Sequence, residues 1–276
     1  MIKRIRAESP LIHCITNTVV QNFTANGLLS LGASPVMSDA PEEAGEMARL
    51  AKGLLINIGT LHDETIRAME AALRSANEAG VPAVLDPVGV GSTTFRTKAV
   101  QRLLTLGRFT VIRGNVAEVA NTIGRSLPIK GVDGGTVSRD IAVDVARQAA
   151  RALGAVVAAT GPEDVVTDGE RTIIVQNGDP LMSRVTGVGC LLGAVVAAFL
   201  SVEGDPFRAA AGALIAYGIA GEMARETLSQ RPESGAAVLS GAYGIAFLDA
   251  LDALHDGAID RRARWTVPGE MTSFNI

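Results

Sequence analysis

Short apolar runs alternate along the first 160 residues with longer segments whose apolar positions recur at helical spacing. The clearest such segment covers residues 63–79, where Ile66, Met69 and Leu73 share one face and Gly80 follows as a stop signal. The short runs predict strands over 11–16, 33–37, 54–58, 82–85, 110–113 and 155–160. The longer segments predict helices over 17–31, from Pro41 through Met47, and over 63–79, 98–106, 116–123 and 137–153. This alternation predicts an α/β fold, a mostly parallel sheet with helices on both faces.

The pattern changes in the second half of the chain. Runs over 165–167 and 172–176, separated by Asp168-Gly169, predict a hairpin at the sheet edge. Segments 190–201, 206–228 and 235–255, rich in Ala, Gly and Leu, predict three consecutive helices. Residues 131–136 read as a glycine-rich loop, and the segment from about 258 reads as a tail. No linker or repeat divides the sequence, so we expect one domain over residues 1–276.

Composition narrows the class of protein. The chain is 47% hydrophobic and 20% charged, with a formal net charge of -4 and no block of Lys or Arg. This balance predicts no nucleic-acid or membrane-surface partner. Two cysteines, Cys14 and Cys190, give no disulfide framework and favour a reducing compartment. No apolar run reaches the roughly 18 residues of a membrane span, so we expect a cytoplasmic globular protein.

Polar residues cluster where the predicted strands end. In open parallel sheets, ligands bind beyond the carboxyl ends of the strands. The strand-end segments are 16–17, 59–60, 86–87, 113–115 and 160–161. Each contains a residue type that ends strands anyway, but together they bring a carboxylate, a guanidinium and hydroxyls to one rim. The sequence therefore predicts a polar ligand site along this edge.

The most informative stretch is 185–190, which leads into an apolar run predicted to be helical. A helix start presents unpaired N–H groups and a positive dipole end. Gly187 and Gly189 let an anionic ligand approach this backbone, and the dipole is expected to lower the pKa of the Cys190 thiol. We interpret the stretch as a phosphate site with a proton acceptor beside it. The alternative is a glycine-rich loop before a buried helix with one core cysteine.

Other candidates carry weaker signals. Glu118 begins a helix and, with Asp86, offers carboxylates suited to magnesium held through water; otherwise it is a solvated helix-start residue. Arg113 suits a phosphate clamp or a surface ion pair. Met37 is either a pocket wall or core, and its spacing favours core. His13 and Cys14 are expected to be packed strand residues.

Seven segments together resemble a known family. They are His13-Cys14-Ile15-Thr16-Asn17, Asn22-Phe23-Thr24-Ala25-Asn26-Gly27, Gly32-Ala33-Ser34-Pro35-Val36-Met37, Asn57-Ile58-Gly59-Thr60, Leu85-Asp86-Pro87-Val88-Gly89, Arg113-Gly114-Asn115-x-x-Glu118 and Thr186-Gly187-Val188-Gly189-Cys190. In this order they are similar to the hydroxyethylthiazole kinases, ribokinase-like enzymes of thiamine salvage. The resemblance covers residues 11–250, nearly the whole chain.

The resemblance implies a reaction and a set of roles. The reaction is transfer of the ATP γ-phosphoryl group to the hydroxyethyl oxygen of 4-methyl-5-(2-hydroxyethyl)thiazole, with Mg²⁺. For the substrates, the resemblance implies thiazole contact by Met37 with Asn17 and Val19 nearby, substrate binding by Gly187, and ATP binding by Arg113 and Thr160. For the transferred group, it implies an anion hole over Gly187, Val188, Gly189 and Cys190. It also implies that Asp86 and Glu118 associate with magnesium and that Cys190 is the catalytic base. The family is trimeric with the thiazole site between subunits, which would also bury the apolar helices after Cys190.

Three alternatives remain from the sequence. One is a ribokinase-like kinase for another small alcohol, such as hydroxymethylpyrimidine or a sugar. A second is an ATP-binding dehydratase of the same fold, although that family is expected to carry Asp where Cys190 stands. A third is a non-catalytic thiazole- or nucleotide-binding protein, which the presence of Asp86, Glu118, Arg113 and Cys190 disfavours.

Overall fold

A central sheet organises the protein, for which a computed structural model describes residues 1–126, 137–230 and 240–268. Within these ranges nine strands form one sheet in the order β2-β1-β3-β4-β5-β6-β7-β8-β9. The strands are β1 (Leu11–Ile15), β2 (Ser34–Val36), β3 (Gly53–Asn57), β4 (Ala83–Asp86), β5 (Val111–Asn115), β6 (Val156–Thr160), β7 (Asp164–Thr167), β8 (Thr172–Val175) and β9 (Trp265–Thr266). Pairing is parallel from β2 through β6 and antiparallel from β6 to β9. The predicted mostly parallel sheet is confirmed.

Helices connect the strands and cover the sheet. They are α1 (Ile2–Glu8), α2 (Gln21–Leu31), α3 (Pro41–Leu50), α4 (Asp63–Ala79), α5 (Thr94–Leu106), α6 (Val116–Thr122), α7 (Arg139–Leu153), α8 (Val188–Leu200), α9 (Pro206–Ser229), α10 (Ser240–Ala253) and α11 (Asp256–Arg262), with a 3-10 turn at Pro180–Arg184. The bounds of α4 match the prediction. The predicted loop at 131–136 and the predicted helical residues 235–239 lie outside the described residues.

Three local predictions were wrong. The second helix begins at Gln21 after Val20 rather than at Asn17 or Thr18, because the Asn17 side chain is engaged elsewhere and caps no helix. Asp39 does not cap α3, which starts from Ala40 with no side-chain cap. The segment read as a tail forms α11 and β9; β9 pairs with β8, so the hairpin is not the sheet edge. The amino-terminal helix α1 was not predicted at all.

Most residues of the apolar helices α8 and α9 are buried within the subunit. Every residue of α8 from Leu191 to Leu200 is buried, and α8 packs on β3, β4 and α9. Alternating strand residues pack into two hydrophobic cores, one on each face of the sheet. Leu55 and Val84 face α8, whereas Leu54 and Leu85 face the helices on the opposite side. These contacts cover α8 without a partner subunit, whereas Ile245 on α10 is 67% exposed, so burial of the apolar helices between subunits stays a prediction.

Candidate active site

The carboxyl ends of β1, β3, β4, β5 and β6 meet on one rim, as parallel pairing requires. The register places Asn57 beside Asp86 and Asn115 beside Thr160. The start of α8 lies over the same rim, since a Cβ built on Gly193 would fall 3.8 Å from the Asp86 carboxylate. Residues far apart in sequence are thus assembled at the predicted edge.

A chain of side-chain hydrogen bonds crosses this rim. Cys190 Sγ accepts from Asn17 Nδ2 at 3.4 Å, and the same amide nitrogen donates to Asn57 Oδ1 at 2.9 Å. Asn57 Nδ2 then donates to Asp86 Oδ2 at 2.7 Å. Asp86, Asn57 and Asn17 are buried, so their polar groups need these hydrogen bonds, whereas Cys190 is partly exposed.

Arg113 extends this series of hydrogen bonds from Asp86 to Thr160 at the end of β6. Its Nη1 lies 3.4 Å from Asp86 Oδ2, and its Nη2 donates to Thr160 Oγ1 at 3.2 Å. Thr160 Oγ1 in turn donates to the Gly114 carbonyl at 3.2 Å. The guanidinium is only 11% exposed, and its buried Nε–H has no acceptor among the described residues. Arg113 is therefore a buried charge with a spare donor, not the surface ion pair considered above.

Burial sets the protonation of this network. It raises the pKa of Asp86 to about 7, against the opposing effect of Arg113. Although burial alone would lower it, the pKa of Arg113 is raised because Asp86 and Glu118 lie nearby. Burial and Asp86 also raise the pKa of the Cys190 thiol, despite stabilising contacts from Asn57, Arg113 and Asn17. The predicted lowering of the Cys190 pKa was wrong, because desolvation outweighs the helix start.

The helix start itself is open to a ligand. Gly187 is the N-cap of α8 at φ 99°, a conformation that favours glycine, and a Cβ there would meet the Phe23 ring at 3.0 Å. Among the described residues, the N–H groups of Gly189 and Cys190 have no hydrogen-bond acceptor. A Cβ on Gly189 would find Arg113 Nη2 as its nearest neighbour, at 3.8 Å. Gly189 does not have a positive φ; its missing side chain instead leaves space facing the guanidinium.

Glu118 lies beside the rim and is held by backbone donors. Its Oε1 accepts from the Gly89 N–H at 2.9 Å and its Oε2 from the Asn115 N–H at 2.8 Å. Asn115 Oδ1 accepts from the Glu118 N–H at 2.9 Å, completing a capping box. Within the described ranges, no three His, Cys, Asp or Glu residues are grouped as a metal cluster. Glu118 lies near enough to Asp86 to raise its pKa, and two carboxylates offer the oxygen ligands that suit a hydrated magnesium ion.

A cavity of about 750 Å³ opens from Arg113 and Gly189 toward the 3-10 turn and α9. Its wall includes Thr160, Asp164 and Tyr217. The Tyr217 hydroxyl donates to the Val188 carbonyl, so α9 braces the first turn of α8. Burial raises the pKa of Asp164 to about 6, partly offset by the Gly161 N–H and by Arg113. The cavity thus has a cationic end at the helix start and a mixed polar and apolar far end.

Two predicted site residues lie apart from this network. Val19 is 67% exposed in the turn before α2, and Met37 is half-buried against the core after β2. In the described parts of the chain, neither of them makes a hydrogen bond to Cys190 or Asp86. His13 and Cys14 are buried strand residues as predicted, with His13 Nε2 lying 2.7 Å from the Ser38 carbonyl oxygen.

The sequence analysis missed Asn57, which links Asn17 to Asp86 in the hydrogen-bond series. Asn57 belongs to the segment Asn57-Ile58-Gly59-Thr60 but was assigned no role. The available signal was an amide side chain at the end of an otherwise apolar strand. Asp164 and Tyr217 were also missed. They face the cavity from β7 and α9, elements whose sequences read as ordinary hairpin and core helix.

Comparison with solved structures first defines the class. A ribokinase-like superfamily protein from Enterococcus faecalis aligns with a TM-score of 0.60 at 13% identity, covering 88% of this chain and 86% of that one. An ADP/ATP-dependent NAD(P)H-hydrate dehydratase from Bacillus subtilis aligns with a TM-score of 0.57 at 14% identity, covering 92% and 97% of the two chains. At such identities the likeness shows the fold alone, which is ribokinase-like.

The family follows from closer matches. The hydroxyethylthiazole kinase family model matches residues 2–257. A hydroxyethylthiazole kinase protein from Pyrococcus horikoshii is 41% identical, with a TM-score of 0.85 and coverage of 96% of each chain. This chain belongs to the hydroxyethylthiazole kinase family, and it is a kinase. No helix among the described residues has the length and apolarity needed to cross a membrane.

Proposed function

We propose that the protein transfers the γ-phosphoryl group of ATP to the hydroxyethyl oxygen of 4-methyl-5-(2-hydroxyethyl)thiazole in thiamine salvage. The observation that carries the proposal is the meeting of a buried, incompletely paired guanidinium with unpaired helix-start N–H groups at Gly189 and Cys190. Such donors suit a phosphoryl group whose charge is spread over three oxygens. Family membership gives the reaction its substrates.

The ATP phosphates are assigned to the mouth of the cavity. Arg113 offers its free Nε–H, and Thr160 supports the guanidinium through Nη2. Within the proposed anion hole at 187–190, the Gly189 and Cys190 N–H groups are the donors left for a ligand, because the Val188 N–H donates to the Val185 carbonyl at 3.3 Å; the bare Gly189 Cα leaves room for the group being transferred. The remaining cavity volume then accommodates the nucleoside part of ATP.

Cys190 occupies the proposed base position. Its thiol accepts from Asn17, so the side chain is oriented before substrate arrives. Burial raises the pKa of Cys190, and the thiol form therefore predominates at neutral pH. In a loose transition state the proton of the substrate hydroxyl leaves late, so the small thiolate fraction of Cys190 can accept that proton during transfer, and a strong base is not required.

Magnesium is assigned to the space near Asp86 and Glu118, where it would neutralise phosphate charge during transfer. Both carboxylates already accept protein hydrogen bonds, so contact through water is the fitting mode. Asp86→Asn and Glu118→Gln should each raise the magnesium concentration needed for half-maximal activity by roughly 10-fold, in the range for outer-shell metal partners. Activity measured against Mg²⁺ concentration tests this, and unchanged curves for both variants would remove the assignment.

The thiazole ring is assigned to Asn17, Met37 and Val19 at a contact between subunits of a homotrimer. The exposure of Val19, together with exposed Leu29 on α2 and Ile245 on the adjoining α10, supports such a contact. Light scattering at assay concentration should report a trimer. A fully active monomer would contradict the shared site. We also propose a cytoplasmic location, in keeping with two unpaired cysteines and use of ATP.

The decisive experiment is a coupled ADP-release assay with ATP, Mg²⁺ and a panel of alcohols. We expect the thiazole alcohol to be preferred over hydroxymethylpyrimidine and over sugars. Preference for another alcohol would change the proposed substrate but leave the kinase activity in place. Dehydration of a hydrated nicotinamide nucleotide without alcohol phosphorylation would contradict the proposal outright.

A further inference from the structure

Arg96 lies on α5, outside the network described above, yet its side chain reaches back to the rim. Its Nη1 donates to the carbonyls of Ile58 at 2.7 Å and Val88 at 2.8 Å. Its Nη2 donates to the Gly59 carbonyl at 2.8 Å. One guanidinium therefore connects two loops, the one after β3 and the one after β4, through their backbone carbonyls.

Each bound carbonyl adjoins a residue of the proposed site. Gly59 packs so closely on Asn17 that a Cβ there would lie 2.7 Å from the Asn17 side chain, and Asn17 is the donor to Cys190. Val88 precedes Gly89, whose N–H holds Glu118. Arg96 thus supports the proton-acceptor side through one loop and the magnesium side through the other.

We propose that Arg96 is a positioning residue that fixes the spacing of these two loops, and so the alignment of Cys190 with the carboxylate side of the rim. A planar guanidinium presents several donors at fixed angles, whereas a lysine ammonium offers a compact charge that cannot match them. The consequence for the reaction rests on the proposed function. The consequence for the Cys190 environment does not, because it follows from the contacts alone.

The test compares Arg96→Lys and Arg96→Gln with Arg102→Lys. Arg102 is on the same helix, but its guanidinium pairs with Glu70 of α4, away from the rim. At matched folded fractions, the Arg96 variants should lose about 10²-fold in kcat, as expected when reacting groups shift by roughly 1 Å. Arg102→Lys should stay within about twofold of the wild type in kcat, because the lysine keeps a positive charge beside Glu70 and the pair lies away from the rim.

A second readout needs no turnover. Cys14 is buried, so the rate of thiol alkylation reports Cys190. Loosening of Asn17 should change this rate severalfold in both Arg96 variants and leave it unchanged in Arg102→Lys. Added methylguanidinium should move both readouts of Arg96→Gln back toward wild type, whereas a general loss of stability would not be corrected in this way.

The outcomes separate the two proposals. An inactive wild type would overturn the proposed function, while altered alkylation in the Arg96 variants would still support the positioning role. Wild-type kinetics and alkylation in both Arg96 variants would overturn that role. Failure of both variants to fold would also overturn it, since Arg96 would then be required for folding rather than alignment.

Discussion

The strand-end network and the start of α8 face one another but differ in how their polar groups are satisfied. Along the rim, Asn17, Asn57 and Asp86 have protein partners for their buried groups. At the helix start, the N–H groups of Gly189 and Cys190 have none within the described residues. Arg113 belongs to both regions, because it is paired through Nη1 and Nη2 and unpaired at Nε.

This difference indicates that the rim network holds the site rigid and that the helix start binds the ligand. A satisfied buried network resists movement, since breaking one bond leaves an unpaired polar group. An unsatisfied helix start instead gains when an anion arrives. We infer that the rim sets the geometry and that the helix start supplies the affinity for the phosphoryl group. Substitutions in the two regions should therefore have different kinetic signatures.

The largest expected effect comes from filling the open region. Gly189→Val would place methyl groups in the space facing Arg113, and kcat should fall by about 10³-fold, since several anion-hole donors are lost together. Gly204→Val is the matched control, because a Cβ there meets nothing within 4 Å and its φ is not positive. Saturation kinetics decide the point. Similar losses in both variants would mean that the helix start has no special role.

Arg113→Lys sharpens the comparison, because this residue joins the two regions. The change keeps the positive charge but removes the planar guanidinium, which can bind two phosphate oxygens at once. The kcat/KM for ATP should therefore fall by about 10²-fold. The KM for the thiazole alcohol should stay within a small factor. Steady-state kinetics with each substrate varied in turn measure both constants. Equal increases in the two KM values would instead indicate a structural arginine.

Cys190→Ser should cost less than Gly189→Val. Removing a general base costs on the order of 10²–10⁴-fold, and a loose transition state places this case near 10². Since the pKa of Cys190 is raised, wild-type kcat should increase with pH as the thiol ionises, and the serine variant should lose that increase. A larger loss in Cys190→Ser than in Gly189→Val would show that proton abstraction outweighs positioning.

The smallest effect concerns stability of the rim. The pKa of Asp86 in the folded protein, about 7, lies above its usual value of 3.8, so the stability it contributes is greatest at low pH and declines as pH rises through 7. Asp86→Asn lacks this ionisation. In the absence of magnesium, the Tm of Asp86→Asn minus the Tm of the wild type should therefore increase by a few degrees between pH 5 and pH 8. A constant difference across this range would mean that Asp86 does not titrate there.

The sequence by itself determined the alternation of strands and helices, and with it the rim. Strands β1, β3, β4 and β6 are nearly continuous apolar runs, as expected for strands buried on both faces, and a polar residue ends or directly follows each of them. Parallel order then required those ends to meet. For this reason Asp86, Arg113 and Thr160 were predicted on one edge, whereas the helix start at 187–190 was predicted separately as a phosphate site.

Only the tertiary structure decided how those residues are paired. Asn57 links Asn17 to Asp86 because β1, β3 and β4 are neighbours in the sheet, an order that local patterns do not specify. The raised pKa of Cys190 reflects burial by the whole fold, which outweighs a helix-dipole effect that can be read locally. Tertiary contacts also explain why the carboxyl-terminal α11 and β9 were missed. Strand β9 has only two residues, too few for a periodicity to be detected, and it is stabilised by pairing with β8.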